Sequence, residues 1–211
     1  MACLSDGVSA RVTPHLDRPQ AQDTCNLDTR PPGAGETPPV ICLAWPTNAR
    51  RFREWRRKRV ALAAWLDRHR ATVVDKLDGL TDAEARRPML ASGVSLLALV
   101  KHLTAVEHGW FVVNFAQTGE RDLFVEQDGT ETDWVLKAED TLVSVVSGYQ
   151  RAAARSRAVV ASAISLDDRA PHPRGGEMDL RFVLLHMLEE TARHNGHADA
   201  ARELLDGVTG D

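Results

Sequence analysis

"MDLRFVLLHMLEETARHNGHADAARELLDG" (Met178–Gly207) decides the architecture. Its apolar and small residues, Leu180, Val183, Leu184, Met187, Thr191, Ala198, Ala201 and Leu205, recur at spacings of three, four and seven. At about 100° per residue these positions fall on one stripe centred near Met187. The segment therefore reads as a single amphipathic helix from near Met178 to about Leu205, closed by Gly207. Two ionisable residues interrupt its apolar face. His194 falls almost on the centre and Glu190 just inside the edge, four residues apart and so stacked on one another. His186 and His197 project at the flank, and His186, four before Glu190, is placed to orient its carboxylate. Glu189, Arg193 and Asp199 are expected to form surface ion pairs.

Three further stretches carry the same period. "VALAAWLDRHRATVVDKLDGL" aligns Leu62, Trp65, Leu66, His69, Val73, Leu77 and Leu80. "VSLLALVKHLTAVEHGWFVVNFA" aligns Leu96, Leu99, Leu103, Val106, Trp110 and Val113, which predicts a stripe centred near Val106 with His102 inside it and His108 on the far side. "AEDTLVSVVSGYQRAAARSRAVVASAI" aligns Leu142, Val145, Val146, Tyr149, Ala153, Val160 and Ile164. Between the first two, Thr81 and Glu84 stand in capping-box spacing and start a short turn that Pro88 ends. No strand pattern is visible, so the expectation is an all-α four-helix bundle. The polar residues 117–137, with Gly119 and Gly129, are long enough for a crossover between helices two and three. Periodicity alone leaves that topology and simple up-down-up-down both open.

Seven prolines (Pro14, Pro19, Pro31, Pro32, Pro38, Pro39 and Pro46) precede residue 47, around "PPGAGETPP". Such a segment supports neither a helix nor a central strand, so residues 1–48 are expected to form a disordered extension before a bundle domain at 49–211. A start site placed too early would account for it. "RRFREWRRKR" (Arg50–Arg59) then carries seven basic residues in ten. It reads as a solvated lead-in to the first helix rather than a nucleic-acid site, because the chain as a whole carries a net charge of -4. No apolar run of about 18 residues and no basic-then-apolar leader is evident, so neither a membrane partner nor secretion is expected, and the cytoplasm is the default location.

Buried carboxylates and imidazoles cost several kcal/mol unless paired or ligated. His102, Glu190 and His194 lie on two core-facing stripes, which one shared divalent cation explains better than separate burials do. A hydrogen-bonded polar cluster without metal is the alternative. Two imidazoles and one carboxylate suit Zn²⁺, Ni²⁺, Co²⁺, Mn²⁺ or Fe²⁺ and leave coordination positions open. All three cysteines, Cys3, Cys25 and Cys42, lie in the first fifth of the chain, so thiol chemistry in the bundle would use a thiol from outside. His197, beside His194, is the candidate general base or a partner behind the ligands, with a plain exposed histidine as the alternative.

"LLALVKHLTAVEHGWF" and "HMLEETARHNGHADAARELLDG" resemble the DinB-like superfamily, especially its actinobacterial branch of mini-circle proteins, over about residues 58–207. The resemblance implies a four-helix bundle with a long crossover, a homodimer, and a divalent metal held by a histidine on helix two and a pair on the last long helix. Carried over by position, those ligands are His102, Glu190 and His194. Glutamate in the middle position departs from the common histidine triad and is similar to the mycothiol-dependent maleylpyruvate isomerase group. The implied activity is metal-dependent activation of a mycothiol-like thiol for transfer to, or isomerisation of, a small-molecule substrate. A metal-stabilised binding or regulatory protein without turnover is the alternative.

Overall fold

The computed structural model describes residues 49–210, with side chains from residue 56 onward; the expected disordered extension, residues 1–48, lies outside the described residues. In chain order the elements are α1 (Ala49–Asp75), α2 (Asp82–Ala85), α3 (Leu96–Glu107), a π-helical continuation (His108–Phe115), α4 (Leu142–Ser162), strands β1 (Arg169–Pro171) and β2 (Glu177–Asp179), and α5 (Leu180–Asp206). The helix boundaries follow local chemistry. Thr81 and Glu84 form the expected capping box on α2, Ser95, Thr141 and Asp179 cap α3, α4 and α5, and Gly207 ends α5 at φ 80°.

Pairs across the bundle give its topology. Asn195 Nδ2 donates to the His69 carbonyl at 3.1 Å, and Arg202 Nη1 to the Lys76 carbonyl at 2.9 Å. Seven residues along α1 match seven along α5, so these two helices run parallel. One end of the core holds Val73, Leu77, Leu96, Leu99, Val145, Tyr149, Ala198 and Ala201. The other holds Leu66, Phe111, Val160, Leu184 and Met187. Both α3 and α4 thus run from the first end to the second. The chain between Phe115 and Leu142 therefore travels back along the bundle, which is the long crossover.

Several sequence-based expectations are corrected. The segment between α4 and α5 holds a small antiparallel hairpin, pairing Ala170 with Met178, where no strand pattern was visible in the sequence. Strands of three residues are too short to show a period of two, and Gly175 and Gly176, both at positive φ, supply the turn. Trp65 and Ile164, both expected on apolar stripes, are exposed, at 58% and 81%: Trp65 sits at the margin of its stripe, and Ile164 lies beyond the end of α4, past its C-cap Ala163. The core face of α3 is not centred on Val106. Glu107 and His108 are buried at 0% and 3%, while His102, Val106 and Trp110 are half-buried. α3 packs against α4 on one side and approaches α5 on the other, so nearly its whole circumference is covered. His108, expected on the far side, is therefore inside, its Nε2 3.0 Å from the Arg121 carbonyl. Leu96–Phe115 is also long and apolar enough, by length and composition, to cross a membrane, contrary to the reading of the apolar runs; 67% of that window is buried inside the bundle.

The crossover is tied down by Lys101, whose side chain is 2% exposed. Its Nζ donates to the Val135 carbonyl at 2.7 Å and to Asp140 Oδ2 at 2.9 Å, and lies 4.7 Å from the Phe124 ring centre. Burial alone would raise the Asp140 carboxyl, but Lys101 and the Lys137 N–H outweigh it and hold it below the usual aspartate value. A depressed folded-state value stabilises the fold above the unfolded aspartate value, about 3.9. That contribution disappears as pH falls through the lower folded value. Asp140→Asn should therefore flatten the acid limb of stability. Matched urea unfolding series from pH 6 to pH 3 check this, and parallel limbs for both proteins would refute it.

Candidate metal centre

Half-burial of His102 at the α3 edge and of Glu190 on α5 brings the two helices' polar groups to one rim of the bundle. His194, one turn beyond Glu190, is the buried member of the set. One donor atom from each of the three residues lies within 4.8 Å of the others. His194 Nε2 is 3.0 Å and His102 Nε2 3.7 Å from the same oxygen, Glu190 Oε1. The imidazole rings meet edge to face, 5.0 Å between centres. Two ligands each about 2.1 Å from one ion stand about 3.0–3.4 Å apart, so these separations fit a shared cation after small side-chain shifts.

The electrostatics keep the set ready to ligate. Burial raises the Glu190 carboxyl, but His194, Arg193 and His102 together outweigh burial and hold it below the ordinary glutamate value. Burial, reinforced by His102, pushes His194 below the ordinary histidine value. Near neutral pH the carboxylate is thus charged and the imidazole neutral, the forms a metal requires.

Of the residues placed around the site from sequence, Arg193 behaves differently from expectation. It pairs with Glu189 as foreseen, but its Nη1 also donates to Glu190 Oε2 at 3.1 Å. Arg193, rather than His186, therefore holds the second carboxylate oxygen. His186 packs instead against Trp110, 4.2 Å between ring centres, and parallel to Phe182. His197 is exposed, its ring edge-on to His194 at 5.5 Å between centres. Asp199 pairs with Lys76 at 2.6 Å. Tyr149 is 1% exposed among core side chains and takes no part in the site.

Two neighbours went unseen in the sequence, both from the crossover. Asp133 Oδ2 lies 2.6 Å from His102 Nδ1, and the Trp134 ring stacks on His102 at 4.1 Å between centres. Trp134 also reaches within 5.6 Å of the His194 ring centre. Crossover residues lack periodicity, so no helical wheel could register them against α3.

No curated protein and no solved structure matches the chain. The description mycothiol-S-transferase belongs to a family model that matches residues 61–207, from within α1 to the end of α5, and the chain therefore belongs to that family of DinB-like proteins.

Proposed function

We propose that the chain binds one divalent cation through His102, Glu190 and His194 and transfers an external, mycothiol-like thiol to a small electrophile. The convergence of three donors within 4.8 Å, in a chain of the mycothiol-S-transferase family, carries this reading. When bound, the cation supplies Lewis acidity that lowers a thiol's pKa, so that a nucleophilic sulfur exists near neutral pH. The carboxylate of Glu190 reduces the charge of the centre, which suits a thiol near pKa 8.5 better than water, whose pKa is far higher. His197, exposed beside His194, is placed to take the thiol proton and pass it to solvent. In transfer, the new bond joins the thiol sulfur to the electrophilic carbon, and the leaving group departs with the carbon's former bonding pair.

A purely structural ion is disfavoured by position. The side chains of His102 and Glu190 are 15% and 17% exposed at the rim rather than sealed in the core. The same reading includes the homodimer that the resemblance implies; sedimentation of the purified chain checks it.

The test is mycothiol-dependent loss of a small alkylating electrophile with cation-loaded protein. The expected result is a rate well above that of thiol alone, abolished in His194→Ala. No acceleration across a panel of electrophiles, together with no change in the absorption of Co²⁺-loaded protein on adding thiol, would refute transfer. His197→Ala should lower the rate by about 10²-fold or more if it is the base, with metal content unchanged.

A further inference from the structure

We propose that Asp133, from the crossover, is a positioning residue of the centre: it accepts the Nδ1–H of His102 and so leaves Nε2 as the bare, ligating nitrogen. This inference rests on the metal-centre reading above and extends it to a residue outside the three ligands.

The argument starts with what each group can donate. An ionised carboxylate only accepts hydrogen bonds, so the ring nitrogen facing it at 2.6 Å must carry the proton. In a neutral imidazole the other nitrogen then has none. That nitrogen, Nε2, faces Glu190 Oε1 at 3.7 Å, too far for a hydrogen bond to compete for it. His194 is held differently. Its Nε2 lies 3.0 Å from Glu190, while its Nδ1 is buried without a hydrogen-bond partner among the described residues. Of the two histidines, His102 is thus the one whose tautomer is set by an outer carboxylate. Such a partner orients the ring and raises its basicity as a ligand.

The surrounding chain holds Asp133 in place. On one side, Thr132 donates through both its N–H and its hydroxyl to the Phe124 carbonyl, at 2.7 and 3.0 Å. On the other, the Val135 carbonyl accepts from Lys101, the residue next to His102 on α3. Trp134, between them, stacks on the imidazole and limits its rotation. Phe124 itself adopts φ 58°, a left-handed conformation that is unfavourable for a bulky residue. In that conformation its ring lies against the Lys101 ammonium and its carbonyl accepts twice from Thr132. The crossover is therefore clamped at three points around the residue that meets His102.

The experiment uses the full chain and two readouts. Nitrogen-15 NMR of the metal-free protein reports the His102 tautomer, assigned with His102→Ala. Competition with a chromophoric chelator reports the affinity for Zn²⁺. The expected wild-type result is a neutral His102 protonated at Nδ1. In Asp133→Ala the population should move toward Nε2–H, and Zn²⁺ affinity should fall about 10–100-fold with all three ligands still present. Asp133→Asn, whose amide oxygen still accepts from Nδ1–H, should retain the tautomer and lose less affinity. Wild-type affinity in Asp133→Ala, or an Nε2–H tautomer in wild type, overturns the role of Asp133 and leaves the triad standing. A wild-type chain that binds no Zn²⁺ overturns the metal centre and this proposal together.

Discussion

Replacing Arg70 with methionine is expected to lower the stability of the fold by about 3–5 kcal/mol. Arg70 on α1 donates from Nε and Nη2 to the two oxygens of Glu107 on α3, at 2.6 and 2.7 Å. The two side chains are 5% and 0% exposed, so the pair is a bidentate bridge almost withdrawn from water. Arg70 also donates to Asp67 at 2.8 Å, and Asp67 accepts from Arg157 of α4 at 2.9 Å. The network thus joins three helices. Burial by itself disfavours the Arg70 charge, yet Glu107 and Asp67 outweigh it and hold the guanidinium more firmly protonated than usual. The Tyr149 hydroxyl nearby is likewise held protonated: burial, then the Glu107 charge, pushes it well above the ordinary tyrosine value. Methionine in place of Arg70 leaves the Glu107 carboxylate buried and uncompensated, which is the source of the large penalty. Arg70→Met combined with Glu107→Leu should recover most of the loss, because no buried charge then remains. Urea unfolding of the three proteins measures this, and a loss below about 1 kcal/mol for Arg70→Met would falsify the argument.

The second large effect concerns the cation. Purified wild-type chain is expected to carry one divalent ion, and replacing His102, Glu190 or His194 with alanine should remove most of it. Two ligands bind far more weakly than three, and the ion binds only the folded chain. With free ion at about 100 times its Kd, binding adds about 2.7 kcal/mol to stability, and the alanine variants should lose that increment. His108→Ala is the informative control. His108 is 3% exposed and bonded to the crossover, so its loss destabilises the fold while leaving the metal in place. Glu190→His should still bind, now through three imidazoles. Elemental analysis and thermal unfolding with and without chelator read both quantities. Stoichiometric metal in His194→Ala would sink the triad.

The sequence by itself determined the helices and the face of α5 that carries Glu190 and His194. α5 was legible residue by residue: Leu180, Val183, Leu184, Met187, Thr191, Ala198 and Ala201 are all buried where the wheel puts them, with His194 among them. An isolated amphipathic helix has a single covered face, and its period records which residues that face holds. α3 was not legible in the same way, because neighbours on several sides bury most of its circumference and a wheel centred on apolar residues then points nowhere in particular. Glu107 was hidden for that reason, although Leu103, Glu107 and Phe111 stand four apart and Leu66 and Arg70 do likewise on α1. An acid and a base of opposite sign, each within a row of core residues, were the available signal. What only the tertiary structure decided is the parallel pairing of α1 with α5 and of α3 with α4, and the path of the crossover that follows from it. That path lays Asp133, 31 residues away along the chain, and its neighbour Trp134 on His102. Contacts of an irregular segment are set by where its ends are tethered, here by Lys101 and Phe124, and no local period in the sequence encodes them.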